Sequence, residues 1–236
     1  MGYSRYEEVC QQAVTDENMF NIFKSNNVYN EILEHVSYDL GMQYYQKILN
    51  CNINDTFFHK FMENDLIGGT NKFYYGKKHV SPTTLRYIYT AYDINNKINV
   101  ENLDIVEIGG GYGGQCKIMH DMQSFFGRFF KSYTIIDLSS VVKLQSKYLN
   151  RLGYNVNFIE YDNLTEMKYD LCISNYGFGE LDRNIQDNYV DKVLKNCNNF
   201  YIIYNTPSVH EFLLSNDLKS EPEDPRSGQF NTLYYK

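Results

Sequence analysis

The chain of 236 residues carries 22 basic and 29 acidic residues, a formal net charge of −7. Nucleic-acid-binding proteins normally present a basic footprint, so this charge argues against a nucleic-acid partner. No apolar stretch approaches the roughly 20 residues that span a bilayer, and the polar N-terminus does not have the pattern of a signal peptide. Five scattered cysteines without CxxC spacing predict reduced thiols. We therefore expect a soluble, cytoplasmic protein without membrane contact.

Residues from Tyr6 to about Asn64 have the apolar spacing of helices, and Gly41 predicts a break between two of them. The following segment, Asn64–Tyr75, predicts a loop because it lacks periodicity and contains glycines. We expect residues 1–80 to form an N-terminal helical appendage with a loop. Either a substrate lid or a homodimer surface is consistent with this segment.

A helix is predicted to begin at Ser81-Pro82, where Ser81 suits the N-cap and Pro82 the first helical position. From here the pattern changes to alternating strands and helices, which predicts a second domain over residues 81–236. Alternation of this kind indicates a parallel, doubly wound sheet. The predicted strands are Asp104–Ile108, Tyr133–Ile136, Val156–Tyr161, Asp170–Ser174 and Phe200–Tyr204. The predicted intervening helices are Gly114–Phe126, Ser139–Leu152 and Ile185–Cys197.

The C-terminal segment differs from these repeating units. A short helix near Ser208–Leu214 precedes a polar stretch with two prolines, and Thr232–Tyr235 has the composition of a strand. This pattern predicts an antiparallel hairpin at the end of the sheet. Such a hairpin is expected of the class I methyltransferase fold and less of a nicotinamide-binding domain.

The most informative stretch is Asp104–Gln115, where a buried strand runs into a glycine-rich turn and a helix N-terminus. Gly109, Gly111 and Gly114 satisfy the dinucleotide pattern G-x-G-x-x-G, which is a weak signal by itself. Glu107 with Gly109, Gly111 and Gly113 also satisfies an acidic-x-G-x-G-x-G pattern. This second pattern resembles the first motif of S-adenosylmethionine (SAM) dependent methyltransferases.

Four stretches together resemble the sugar O-methyltransferases of the SAM-dependent class. They are Ser81-Pro-Thr-Thr-Leu-Arg-Tyr, Val106-Glu-Ile-Gly-Gly-Gly-Tyr-Gly-Gly-Gln-Cys-Lys-Ile, Tyr133-Thr-Ile-Ile-Asp-Leu and Ser174-Asn-Tyr-Gly-Phe-Gly-Glu-Leu. The similarity extends from about Val28 to the C-terminus. It implies a Rossmann-like class I methyltransferase fold: a doubly wound, mostly parallel sheet with an antiparallel C-terminal hairpin.

The resemblance also implies a site for SAM, or its product S-adenosylhomocysteine, at the carboxyl ends of the strands. The glycines would let the backbone approach the methionine and ribose portions, and Glu107 would fix the turn and help hold the ammonium group. Asp137 would accept hydrogen bonds from both ribose hydroxyls, since a carboxylate is an acceptor only, and Asp162 could accept one from the adenine amino group. The complete predicted cofactor set is Glu107, Gly109, Gly110, Gly111, Gly113, Gln115, Asp137, Leu138, Asp162 and Asn175.

A sugar hydroxyl is a weak nucleophile, so a general base is expected. Glu180, after the fourth strand, is the first candidate, and His79, before the Ser-Pro-Thr-Thr segment, is the second. Substrate contacts are predicted for Thr83, Thr84, Arg86, Tyr112 and Tyr176. No cluster with clear metal-ligand spacing is present in the sequence, so no metal is predicted.

The sequence thus predicts a SAM-dependent O-methyltransferase acting on a hydroxyl of a sugar, nucleotide-sugar or glycan. Three alternatives stay open: a small-molecule methyltransferase of other specificity, an NAD-dependent oxidoreductase, and a SAM-binding module without catalysis. Nucleic-acid amino-methyltransferases carry an Asp/Asn-Pro-Pro-aromatic tetrad after strand four. This chain has Asn175-Tyr176-Gly177-Phe178 instead, which disfavours a nucleic-acid substrate.

Overall fold

A computed structural model describes residues 2–215 and 217–236. Its residues fall into two compact units. Unit 1 comprises the chain up to Asp93, Gly111–Gly127 and Leu138–Asn155; unit 2 comprises Ile94–Gly110, Arg128–Asp137 and the chain from Val156 onward. The domain boundary predicted at residue 81 falls inside unit 1, and that division by sequence stays a prediction. Among the described residues, no helix is long and apolar enough to cross a membrane.

Unit 1 is mostly helical. Four of its helices begin at side-chain caps, supplied by Asp16, Asn26, Ser37 and Asn54, which satisfy backbone N–H groups that a helix start leaves unpaired. The helices are α1 (Gly2–Thr15), α2 (Glu17–Ile22), α3 (Asn27–Ile32), α4 (Tyr38–Leu49), α5 (Asp55–Met62), the first twelve residues of α6 (Pro82–Lys97), α7 (Gly114–Phe126) and α8 (Ser139–Arg151). A hairpin of β1 (Phe73–Tyr75) and β2 (Lys78–Val80) precedes α6.

The predicted helix break at Gly41 is wrong. Gly41 lies inside α4, and the break is between α3 and α4, where Ser37 Oγ accepts a hydrogen bond from Leu40 N at 3.2 Å. A Cβ atom on Gly41 would lie 2.3 Å from the Tyr75 hydroxyl oxygen and 2.9 Å from Pro82 Cβ. The glycine therefore serves close packing rather than a turn. The strand β1 also occupies the end of the segment predicted as a loop.

The core of unit 1 is built on aromatic side chains. The Tyr112 ring lies 5.0 Å from that of Tyr148 and 5.9 Å from that of Phe23, both edge to face. Lys24 is fully buried among them, with Nζ 3.9 Å from the Tyr112 ring centroid. Desolvation lowers the pKa of Lys24 to about 8, although the charges of Glu34 and Asp65 oppose this change. Cation–π attraction compensates part of the cost of burying the ammonium.

A short turn at Asn64 and Asp65 holds several parts of unit 1 together. The buried Asn64 amide donates to Thr84 Oγ1 at 2.7 Å and to the Tyr112 hydroxyl at 2.8 Å, while its Oδ1 accepts from the Tyr148 hydroxyl at 2.8 Å. Its backbone carbonyl accepts from Lys24 Nζ at 2.8 Å. Each of the hydrogen bonds joins residues distant in sequence, so this turn fixes tertiary structure.

Asp65 fixes the start of α6. Its carboxylate accepts from Ser81 N at 2.6 Å, Ser81 Oγ at 2.8 Å and Thr84 Oγ1 at 2.6 Å. Ser81 Oγ in turn accepts from Thr84 N at 3.1 Å. The predicted N-cap at Ser81 is therefore confirmed, and a buried carboxylate supports it.

Unit 2 contains the central sheet. Its strands are β3 (Asp104–Ile108), β4 (Ser132–Asp137), β5 (Asn157–Glu160), β6 (Tyr169–Asn175), β7 (Cys197–Tyr204), β8 (Lys219–Pro222) and β9 (Thr232–Tyr235), in the spatial order β5-β4-β3-β6-β7-β9-β8. The first five are parallel, and β9 is antiparallel to both β7 and β8. The strand order reverses at β3, as in doubly wound folds. The predicted Rossmann-like class I methyltransferase fold with a C-terminal antiparallel hairpin is confirmed.

The core of unit 2 forms between one face of the sheet and α9 (Arg183–Lys192) with α10 (Glu211–Ser215). Val190, Val193 and Phe212 pack there against Cys172 and Ile202. The predicted helix Ile185–Cys197 is wrong at its C-terminal end, because α9 ends at Lys192 and Cys197 already begins β7. A one-turn 3-10 helix over Leu194–Asn196 continues the apolar spacing that suggested one longer helix.

None of the five cysteines, all of which the structure describes, forms a disulfide bond. Cys10, Cys51 and Cys116 are buried in unit 1, while unit 2 holds the buried Cys172 and the half-buried Cys197. Burial raises the pKa of the Cys51 thiol to about 11, so this side chain is protonated at neutral pH.

The Asn64 side chain is expected to be a major source of the stability of unit 1. Asn64→Ala would remove the amide that bonds the buried Tyr112 hydroxyl and would leave the Thr84 and Tyr148 hydroxyls with one hydrogen bond fewer each; a buried polar group left unpaired costs about 1–3 kcal/mol. We expect the free energy of unfolding in urea to fall by about 3 kcal/mol. Asn71→Ala, at an exposed asparagine of the same unit, should change it by less than about 0.5 kcal/mol. Equal effects of the two substitutions would contradict the role given to Asn64.

Candidate functional site

The glycine turn follows β3 and leads into α7. Gly109, Gly111 and Gly113 have φ of +73°, +57° and +93°, in the left-handed region where side chains cause strain. A Cβ atom on Gly113 would lie 2.8 Å from Leu149 Cδ1, and one on Gly111 would lie 3.2 Å from Leu33 Cδ1. Three of the predicted cofactor-binding glycines are thus favoured by backbone conformation, and a Cβ atom on any of the three would also crowd a neighbouring group. Gly110 lies between them in the turn.

In unit 2, a side-chain hydrogen bond joins the carboxyl ends of β3 and β6. Ser174 Oγ donates to the Ile108 carbonyl and accepts from Phe178 N, both at 2.9 Å. A Cβ atom on Gly109 would lie 3.2 Å from Gly177 Cα. The backbone at Gly109 and the backbone at Gly177 therefore pack closely, and a side chain on either residue would separate them. The predicted cofactor residue Asn175 ends β6 and is half-buried.

Two acidic residues occupy neighbouring strands of this edge. Glu107 lies in β3 and Asp137 ends the adjacent β4. Glu107 is 2% exposed, and its Oε2 accepts from the Tyr133 hydroxyl at 2.9 Å. Desolvation raises the pKa of Glu107 to about 7; the Tyr133 hydrogen bond lowers it and the charge of Asp137 raises it. The edge therefore concentrates negative charge that hydrogen-bond donors or a cation of a ligand would complement.

Tyr176, a predicted substrate contact, has a strained backbone with φ +72° and ψ −36°. Its hydroxyl donates a hydrogen bond to Glu223 Oε1. The other oxygen of the buried Glu223 accepts from Ser227 N at 2.9 Å, Ser227 Oγ at 2.7 Å and Asn231 Nδ2 at 2.8 Å. The loop between β8 and β9 thereby holds the Tyr176 ring. Glu223 has no motif around it in the sequence, so sequence reasoning missed it.

The two base candidates occupy exposed positions. Glu180 ends a 3-10 turn after β6, and its Oε1 accepts from Asn205 Nδ2 at 2.7 Å. His79 is in β2 of unit 1, where its ring stacks on that of Tyr74 with centroids 4.5 Å apart. Both side chains are exposed, and their predicted roles as bases stay predictions.

The predicted substrate contacts of unit 1 are buried. Thr83, Thr84 and Arg86 are 1%, 0% and 6% exposed, and the Thr84 hydroxyl is used in the hydrogen bonds to Asn64 and Asp65. Tyr112 is likewise held by Asn64. These hydrogen bonds give Thr84 and Tyr112 a structural role, and substrate contact by them stays a prediction.

The other predicted cofactor residues have varied surroundings. Gln115 is buried and its Nε2 donates to the Tyr87 carbonyl at 3.4 Å. Leu138 is the N-cap residue of α8, and its carbonyl accepts from Val141 N and Val142 N. Asp162 is exposed in a 3-10 turn after β5. Within residues 2–215 and 217–236, no group of three or more His, Cys, Asp or Glu side chains could hold a metal ion.

Comparison with protein-family profiles gives no match, and comparison with curated proteins gives none either. Solved structures do match. A ribosomal protein L11 methylase from Lactobacillus delbrueckii subsp. bulgaricus is 15% identical, with 64% of this chain and 79% of that chain covered and a TM-score of 0.48. A SAM-dependent methyltransferase from Aquifex aeolicus is 15% identical, with 62% and 87% covered and a TM-score of 0.46.

The mitomycin 7-O-methyltransferase MmcR covers more of the chain. It is 10% identical, with 88% of this chain and 70% of that chain covered and a TM-score of 0.48. All three neighbours are methyltransferases by name, and the substrates that the names give differ. At these identities and TM-scores, the similarity identifies neither the ligand nor the substrate of this chain.

The raised pKa of Glu107 predicts a measurable pH dependence of stability. A buried carboxyl with a pKa of about 7, against 4.5 when exposed, binds its proton more tightly in the folded state. The stability contributed by the proton on Glu107 is fully present below pH 4.5 and is lost as the pH rises through about 7. Over this range Glu107 should cost the wild type up to about 3 kcal/mol.

The Glu107→Gln variant lacks this titration. Urea unfolding at pH 5 and at pH 8 should show a larger loss of stability for the wild type than for the variant. A pH dependence that is the same in both proteins would show that Glu107 titrates normally.

Proposed function

We propose that this chain is a SAM-dependent O-methyltransferase that acts on a hydroxyl group of a sugar, nucleotide-sugar or glycan. One observation carries the proposal. In a sheet with the class I strand order, the central strand ends in Glu107-Ile-Gly-Gly-Gly-Tyr-Gly, and its alternate glycines all have left-handed φ. Gly109, the first glycine of the turn, is half-buried, and a residue without a Cβ atom would permit close approach of a ligand to the backbone there.

The residues present fit the chemistry of SAM. Its ribose diol offers two donors, and the Asp137 carboxylate at the end of β4 offers only acceptors. Asp162 and Asn175 follow β5 and end β6, and they would serve the adenine and the remaining polar groups. When bound, SAM supplies an electrophilic methyl group on a sulfonium ion. The protein has to hold the acceptor hydroxyl in line and remove its proton, tasks that we assign to Tyr176 and to Glu180 or His79.

The C-terminal strands favour methyl transfer over the oxidoreductase alternative. β9 inserts antiparallel between β7 and β8, the arrangement expected of class I methyltransferases. A carboxylate next to the glycine turn also suits a cationic ligand better than a pyrophosphate, because a cation compensates its charge and an anion repels it. The sugar acceptor is supported by the sequence resemblance described above, and the net charge of −7 disfavours a polyanionic acceptor.

Calorimetric titration with SAM and S-adenosylhomocysteine tests the cofactor. We expect the wild type to bind both and Asp137→Ala to weaken binding by about 1–3 kcal/mol, the cost of leaving hydrogen-bonding groups unpaired. Asp191→Ala removes an aspartate that pairs with Lys195 on the surface of the same unit, and it should bind as the wild type does.

Absence of binding to either compound would overturn the proposal, and binding of NADH instead would establish the oxidoreductase alternative. If SAM binds, an acceptor screen with sugars, nucleotide-sugars and glycans should yield a product heavier by one methyl group. Turnover of a different small molecule, or of none, would replace the sugar acceptor by one of the other two alternatives.

A further inference from the structure

The loop between β8 and β9, residues 223–231, lies at the edge of the sheet where β3, β6 and β7 end. β9 pairs antiparallel with β7, and Tyr204 at the carboxyl end of β7 is the partner of Thr232 at the start of β9. The loop therefore enters β9 beside the carboxyl end of β7. Ligands of open α/β sheets bind outside the carboxyl ends of the parallel strands, so a loop in this position can contribute to a binding site.

Tyr176 connects this loop to the carboxyl end of β6. It directly follows β6, and its neighbour Gly177 packs against Gly109, the first glycine of the turn. Tyr176 N donates to the Ile203 carbonyl at 2.9 Å, which fixes the backbone to β7. The side chain is half-buried, and its hydroxyl lies 3.3 Å from Oγ of the exposed Ser227. The hydroxyl is therefore close to the protein surface, on a residue that borders the glycine turn.

The Glu223 carboxylate determines how the Tyr176 hydroxyl can bind a ligand. Glu223 is 6% exposed, and its Oε2 is occupied by the donors of Ser227 and Asn231 described above. The Tyr176 hydroxyl donates to the other oxygen, Oε1. A tyrosine hydroxyl has a single proton and two lone pairs. With that proton directed to Glu223, a ligand that forms a hydrogen bond with the Tyr176 oxygen has to be the donor.

The backbone of Tyr176 gives an independent reason to connect this side chain with function. Its φ of +72° and ψ of −36° are sparsely populated by residues that carry a Cβ atom. Such conformations persist where surrounding contacts impose them, and they are concentrated at functional sites. The hydrogen bonds to Ile203 and Glu223 are contacts of this kind. Both the backbone and the hydroxyl of Tyr176 are thus held in a fixed direction at the strand ends.

We propose that Glu223 is a positioning residue for the methyl acceptor: it holds the Tyr176 proton, so that the Tyr176 oxygen accepts a hydrogen bond from a hydroxyl of the acceptor. This inference rests on the proposed function, in which Tyr176 helps to hold the acceptor. It adds the β8–β9 loop to the acceptor site and makes the acceptor the hydrogen-bond donor at Tyr176. A sugar carries several hydroxyl groups, so it can donate from one of them while another is methylated.

A double-mutant cycle of Tyr176→Phe and Glu223→Gln tests the inference. The acceptor used is the best-methylated member of a panel of monosaccharides, nucleotide-sugars and oligosaccharides, identified with isotopically labelled SAM. Tyr176→Phe keeps the ring and removes the hydroxyl, whereas Glu223→Gln leaves a side chain that cannot accept at both of its terminal atoms. Each substitution should lower kcat/KM for the acceptor about tenfold, the effect of one lost hydrogen bond. The double variant should lie within about twofold of the poorer single variant, because both substitutions remove the same interaction.

A merely structural role of Glu223 predicts a different cycle. Glu223→Gln would then lower kcat/KM equally with and without the Tyr176 hydroxyl, and the two losses would multiply to about a hundredfold. This outcome would overturn the inference. An unchanged kcat/KM in Tyr176→Phe would also overturn it, and that measurement does not require Glu223→Gln to fold.

Cofactor binding and a matched variant make the outcome specific. Both single variants should bind S-adenosylhomocysteine within about twofold of the wild type, and a loss equal to that of kcat/KM would contradict a role toward the acceptor. Glu166→Gln, at an exposed glutamate of the same unit, should match the wild type in both measurements. If the wild type methylates no member of the panel, the proposed function fails and the inference with it. Failure of the cycle alone leaves the proposed function standing.

Discussion

Two adjacent polar side chains, Asn64 and Asp65, join the helices of unit 1 to one another and to the glycine turn. Asn64 binds hydroxyls on α6 and α8 and on Tyr112 in the glycine turn. Asp65 binds the first turn of α6. Hydrogen bonds are directional, whereas burial of aromatic rings is not, so these two residues determine which arrangement of the aromatic core is adopted. The conformation of the glycine turn is thereby tied to a segment far from it in sequence.

The half-buried Glu34 and the buried Glu107 both lower the stability of the folded chain. Desolvation raises the pKa of each carboxyl. The folded chain therefore holds each one either as a poorly hydrated anion or in its protonated form. Residues of this kind are common at functional sites, where a ligand later provides what the protein withholds. The stability lost at such positions has to come from elsewhere, and the networks around Asn64 and Glu223 are its most evident sources.

The elements of the sheet could be predicted because each rests on local signals. The predicted bounds of β3 and α7 are the observed ones. An apolar run, a glycine turn and a glycine at the helix C-terminus are all local signals in the sequence. Gly41 was misread because its reason is a contact with Tyr75 and Pro82, which no local pattern encodes. The end of α9 was misjudged because the 3-10 turn continues its periodicity.

The residues of the candidate site also fall into those that the sequence can predict and those that it cannot. The glycines and Asp137 follow strands directly, so their place at the strand ends could be predicted. Glu223 could not, because it lies in a loop without periodicity and contacts Tyr176, which is distant from it in sequence. The sequence can therefore place residues that the backbone alone positions at a strand end, and it cannot identify residues whose position depends on tertiary contacts.

Each of the two units contains buried cysteines whose reactivity can report on local opening of that unit. Three sequestered cysteines belong to unit 1, and Cys172 belongs to unit 2. An alkylating reagent can modify a buried thiol only when the surrounding structure opens, and only the thiolate reacts. Mass-spectrometric mapping of modified peptides over time would therefore record local opening of the two units separately, in an unmodified chain and without an introduced label. A ligand held by the glycine turn would protect whichever unit it stabilises, and the unequal slowing would identify that unit.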